Sequence, residues 1–297
     1  MANVNKIILW VLIPILLSTY IGFRLYEWRE FKKGNISEIS QKHYVNLENN
    51  TNYNCLILGG SNSFFSLSAQ QMSEQSQLNC YNLSLLHEGF SDKSYFDYVE
   101  KSPINKNNIT HIFYSSISII SHFNYNMRLE RNKKFLDISG NSSFFLLGGS
   151  MISHIRSWLL NSPTTKYPLP NMHGDFNFSE YSNCDKNSIV YGWKLPKITR
   201  TFIDRIEGQF SSMRDIFPNA QIYLVLPSKL QKEYNRDEMF IHTNSLRKIS
   251  SRHSVFFIEQ LHFKDVSFLC DSTHHTNAKG REMRTLDLIL SFKAINQ

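Results

Sequence analysis

Short apolar runs alternate with amphipathic stretches along most of the chain. The runs "CLILGG", "CYNLSL", "THIFYSSI", "AQIYLVLPS" (220–228) and "SVFFIE" (254–259) are each long enough for one strand, and none alternates strictly between apolar and polar positions. Strands that are apolar on both faces belong to the interior of a parallel sheet covered by helices. Between them, Phe64, Leu67 and Met72 share a face of a helix predicted from Ser63 to about Gln75. The stretch "SYFDYVEK" is a further helix candidate, and Ile198, Phe202, Ile206, Phe210 and Met213 recur at helical spacing before the fourth strand. No fixed repeat is visible. The alternation lapses at about residues 117–190, which hold a possible helix, "FFLLGGSMISHIRSWLL", and a long polar loop. An insertion between strands three and four lies near the strand ends, where it is placed to cap a site.

One stretch is apolar in a different way. Residues 7–23, "IILWVLIPILLSTYIGF", carry no charge and are flanked by Lys6 and Arg24. About 17 apolar residues is the lower limit for a helical span. The run ends in Tyr20, Ile21, Gly22 and Phe23 rather than in the small residues of a cleavage site, so an uncleaved anchor is expected. Counting positive charge alone, with Arg24, Arg29, Lys32 and Lys33 after the span, keeps the C-terminal side in the cytoplasm. A short tail with one lysine is instead the look of a bacterial signal-anchor. The expected division is an anchor at 1–23, a juxtamembrane linker with some helix at 24–52, and an α/β domain at 53–297.

Composition adds limits. The 297 residues are 41% hydrophobic and 19% charged, which suits a folded domain and excludes disorder. The net charge of +7 is scattered rather than gathered into a basic stripe, so no nucleic-acid partner is expected. The four cysteines form no C-x-x-C pair. Cys55 and Cys80 each open a predicted strand; as neighbours in a sheet they would be placed for a disulfide, and two buried thiols is the alternative. Whether Cys184 pairs with Cys270 is equally open.

The candidate chemistry begins at "LILGGSNSFF" (56–65). Glycines at a strand-to-helix turn serve either a phosphate or an exposed nucleophile. The phosphate patterns G-x-x-x-x-G-K-[ST] and G-x-G-x-x-G are both absent, and no nucleotide or other cofactor is called for. A nucleophilic Ser61 needs a base and an acid that orients it. "FLCDSTHHTNAKGRE" offers Asp271 and His274, three residues apart, ahead of a helix that Thr276 or Asn277 can cap. Two histidines and one aspartate make a poor metal set without a further ligand.

A strand ending in a glycine-flanked serine, four further strands and a closing D-x-x-H turn resemble the SGNH (GDSL-type) hydrolase superfamily over residues 53–294. The resemblance implies a flavodoxin-like three-layer α/β/α fold with a five-stranded parallel sheet, here preceded by one transmembrane helix. It also implies a triad of Ser61, His274 and Asp271. His275 is the alternative base, because "HTNAKG" puts it in the family's H-x-N-x-x-G frame. Counting from Asp271 selects His274, which is preferred; counting back from Gly280 selects His275. The middle blocks depart from the pattern. Ser84 or Gly89 of "NLSLLHEG" stands for the glycine donor of the oxyanion hole, and Ser115 or Ser116 of "FYSSIS" replaces the third-block asparagine. Asn62 is a replacement candidate, and losing one such donor costs about 2.7–4 kcal/mol of transition-state stabilisation.

An anchored member of this superfamily resembles bacterial proteins that add or remove acyl groups, usually acetyl, on surface polysaccharides. The body is then expected in the periplasm or outside the cell, with an acylated glycan as substrate and polysaccharide-assembly proteins as partners. Trp158, Tyr167 and Trp193 could stack on sugar rings, though ordinary core or surface positions are the favoured account of them. Two other readings remain: a membrane-held lipid or small-ester hydrolase, and a catalytically silent scaffold of a polysaccharide-assembly complex.

Overall fold

The computed structural model describes residues 36–86, 93–120, 167–181, 184, 195–260 and 262–297. Five strands, β1 (Cys55–Gly59), β2 (Cys80–Asn82), β3 (His111–Ser115), β4 (Gln221–Val225) and β5 (Phe256–Ile258), form one sheet in the order β2-β1-β3-β4-β5. Every neighbouring pair is parallel. Seven α-helices accompany them among the described residues: α1 (Ile36–Asn49), α2 (Ser61–Ser66), α3 (Ala69–Ser76), α4 (Lys93–Lys101), α5 (Arg200–Ile216), α6 (Arg236–Arg252) and α7 (Ala278–Ile295).

The period of two along each strand divides the core. Leu56, Leu58, Ile112, Ile222 and Leu224 face α1, α4, α5 and α6 through residues such as Ile39, Val99, Phe210 and Leu246. Ile57, Phe113, Tyr223 and Val225 face α3 and α7 through Met72, Leu288 and Phe292. Both faces of the sheet are thus buried, which is why the strands read as continuous apolar runs. The helix α1 falls in the stretch expected as linker, and its Ile39 and Leu47 are buried in the first of these two cores.

One predicted element divides. The helix expected from Ser63 to about Gln75 is two helices, α2 and α3, broken at Leu67, whose backbone is extended. Ser68 starts α3 afresh by accepting from Gln71 N, and a carboxylate from a distant part of the chain completes the cap. Asp175 accepts from Ala69 N (2.7 Å), Gln70 N (3.0 Å) and the Ser68 hydroxyl (2.8 Å). A buried carboxylate there satisfies amides that a continuous helix would have bonded internally.

The two cysteine questions resolve alike, as Cys55–Cys80 and Cys184–Cys270 are both disulfides. Cys55 and Cys80 are direct partners across β1 and β2. Among the described residues no helix is long and apolar enough to cross a membrane. The expected span at 7–23 and the possible helix at 144–160 lie outside them, as do Trp158 and Trp193.

Candidate active site

The sheet's order reverses between β1 and β3, and ligands of such sheets bind beyond the strand ends at that point. Ser61 follows β1 there as the first residue of α2, 6% exposed. The glycine before the turn serves the sheet. Gly59 has φ +152°, and a Cβ on it would run into the backbone carbonyl of Ser115 at the end of β3. The serine chain behind Ser61 locks the same junction, since the Ser63 hydroxyl donates to the Ser115 carbonyl.

Four of the five oxyanion candidates, Asn62, Ser84, Ser115 and Ser116, are described. Asn62 is fully buried, and its carboxamide is committed to the end of β3: Nδ2 donates to Ser115 Oγ (3.2 Å) and Oδ1 accepts from Ile117 N (3.0 Å). Ser84 is buried just past β2, its amide turned onto Asn82 Oδ1 at 3.2 Å. Ser116 shares a hydrogen bond with Ser118, 2.9 Å between hydroxyls. Gly89 lies outside the described residues.

The D-x-x-H segment is a hairpin. Leu269 bridges Thr276 in antiparallel fashion, Cys270 N donates to His275 O (2.7 Å) and Asn277 N donates to Phe268 O (3.0 Å). Ser272 Oγ accepts from the amides of both His274 and His275, folding the tip. Because His275 stands opposite Cys270, its ring meets the next side chain, Asp271. His275 Nδ1 donates to Asp271 Oδ1 at 2.6 Å. The expected Asp271–His274 pair is therefore replaced by an Asp271–His275 pair. An ionised carboxylate only accepts, so Nδ1 carries the proton and a neutral His275 presents Nε2 as a base.

His275 also stacks on Phe65, 4.2 Å between centroids and 5° from parallel. Phe176 stacks on the same ring at 4.1 Å. A helical side chain covers the turn before its own Cα, and Ser61 is four residues before Phe65. Phe65 lies one helical turn after Ser61 on α2. Two further ties fix the approach: Ser66 Oγ donates to His274 O (3.2 Å), and Thr276 Oγ1 donates to Phe65 O (3.3 Å).

His274 is 4% exposed. Burial holds its pKa well below the ordinary value, and the neighbouring charges of Lys229, His275 and Arg284 act in the same direction. Asp271 has the opposite balance. Burial would raise its pKa, but the hydrogen bond and charge of His275 and the Tyr181 hydroxyl outweigh that, leaving the carboxyl below its usual range. Among the described residues no group of three or more His, Cys, Asp or Glu side chains is placed to hold a metal ion.

Several site residues went unread in the sequence. Arg284 of α7 is fully buried and donates to Asn62 O (3.2 Å), Ser115 Oγ (3.0 Å) and Gln260 Oε1 (3.2 Å), joining α2, β3 and the end of β5. Burial lowers its pKa to about 9. Tyr181, from the insertion, donates to Asp271 Oδ2 at 3.2 Å. Tyr167, named above as a sugar-stacking candidate, stacks on Tyr181 at 5.6 Å and meets Phe65 edge-on.

No protein-family model matches the chain, and no curated protein matches it. Among solved structures the chain is similar to an acetyl xylan esterase (Est2A) from the rumen bacterium Butyrivibrio proteoclasticus, with a TM-score of 0.38 and 10% identity. The match covers 82% of this chain and 64% of the length of that esterase.

Proposed function

We propose that this chain is a serine-dependent ester hydrolase or O-acyltransferase of SGNH type, acting on an acylated surface polysaccharide from an anchored, extracytoplasmic position. The observation that carries the reading is the Asp271–His275 hydrogen bond, with the imidazole stacked on Phe65 one helical turn beyond Ser61. In the reaction His275 Nε2 takes the Ser61 hydroxyl proton while Oγ attacks the ester carbonyl. The tetrahedral adduct collapses to acyl-Ser61, and the leaving alcohol receives that proton from His275. Asp271 holds the tautomer and stabilises the imidazolium. Water then accepts the acyl group in a hydrolase, and a sugar hydroxyl accepts it in a transferase.

The compartment is supported by the apolar run at 7–23 and by two disulfides, which persist in oxidising surroundings. With the Asn62 carboxamide committed to β3, oxyanion stabilisation falls to other donors, and modest turnover is expected. Purified protein is expected to hydrolyse a chromogenic acetyl ester, and spheroplasts expressing it should hydrolyse a membrane-impermeant one without lysis. An inert purified protein would favour the scaffold reading. Activity released only by lysis would put the domain in the cytoplasm and remove surface polysaccharide as the substrate.

A further inference from the structure

The Asp271 carboxylate is gripped at both oxygens. Oδ1 accepts from His275 at 2.6 Å and Oδ2 accepts from Tyr181 Oη at 3.2 Å. We infer that Tyr181 is a positioning residue, whose hydroxyl fixes the second oxygen so that the first stays aimed at His275 Nδ1. The inference rests on the Asp271–His275 pair acting in the proposed ester chemistry. With donors on two different oxygens, the carboxylate cannot rotate about Cβ–Cγ without breaking both bonds.

The phenol has little freedom of its own. Its ring stacks on Tyr167 and meets Phe176 edge-on at 5.2 Å and Phe65 edge-on at 5.9 Å. Three residues on, the Cys184–Cys270 disulfide fastens the same segment to the residue before Asp271. Burial, with the charge of Asp271 adding to it, holds the phenol's pKa well above its usual value, so Tyr181 remains a donor across the working pH range.

Tyr181→Phe tests the hydroxyl alone, because the ring keeps its contacts. Asp271 is followed by its carboxyl signal in 13C-aspartate-labelled protein, assigned by its loss in Asp271→Asn. A hydroxyl that donates to the ionised form lowers the titration midpoint, so removing it should raise that midpoint by about one pH unit. Ester turnover should fall about tenfold in kcat with KM unchanged. An unmoved Asp271 titration in Tyr181→Phe overturns the inference, whatever the activity. A moved titration in a protein that turns over no ester upholds the contact and retracts the hydrolase reading instead.

Discussion

His274 and His275 are adjacent in the chain and occupy opposite surroundings. His275 lies between the Asp271 carboxylate and the face of Phe65, a ring that also meets Phe176 and Tyr181 of the insertion. His274 is buried, and the charges of Lys229 and Arg284 add to that burial in keeping its ring neutral. A carboxylate stabilises the imidazolium that forms when a base takes a proton, and nearby cations oppose it. Under the proposed chemistry, identical side chains one residue apart have different tasks: one to move a proton, the other to stay neutral in the core.

The largest effects should separate the two directly. Asp271→Asn and His275→Ala are each expected to lower ester turnover about 10⁴-fold, since losing the orienting partner or the base removes the same function. His274→Ala should cost less than about tenfold in rate and show itself as a lower urea midpoint, because it empties a buried position. Near-normal turnover in His275→Ala beside a dead His274→Ala would reverse the assignment.

A smaller effect concerns acid stability. Burial, the leading cause in each case, lowers the folded-state pKa of His43 to about 3, that of His262 to about 4, and that of His274 well below its usual value. The folded protein keeps these rings neutral while the unfolded chain protonates them below about pH 6.5, so the unfolded state binds more protons there. Stability is therefore full above that pH and falls by about 1.4 kcal/mol per pH unit for each such histidine as pH drops. Urea midpoints between pH 7 and 5 should show the fall, and His274→Gln should flatten it. An unchanged slope in that variant would mean that His274 takes up its proton without unfolding.

The same pair of regions shows what the sequence could reveal. The five strands were legible because burial on both sheet faces leaves continuous apolar runs, and of the two caps offered for α7, Thr276 and Asn277, it is Asn277 that accepts from Gly280 N at 3.0 Å. Asp271, His275 and Ser61 were all named as candidates. The preference for His274 came from counting three residues on from Asp271, which assumes a simple turn where the chain forms a hairpin. For the partner of Asp271, counting back from Gly280 matches the hydrogen bond to His275, because two structural demands fix that end. Asn277 must cap the helix, and a Cβ at residue 280 would strike the Phe268 carbonyl.

The break between α2 and α3 was not legible, since Asp175, the carboxylate that completes the new cap, lies 107 residues beyond Ser68. Arg284 and Tyr181 were not singled out in the sequence, where nothing local sets them apart from the other cations and aromatic residues. Their roles depend on which strand ends and loops the fold brings together, and no local spacing records that.

The central claim is that Ser61 is the nucleophile served by His275, and a fluorophosphonate probe with the labelled residue mapped by mass spectrometry tests it most directly. The account predicts a covalent adduct on Ser61, absent in Ser61→Ala and formed far more slowly in His275→Ala than in His274→Ala. Labelling of Ser63, or undiminished labelling of the Ser61→Ala protein, would contradict it.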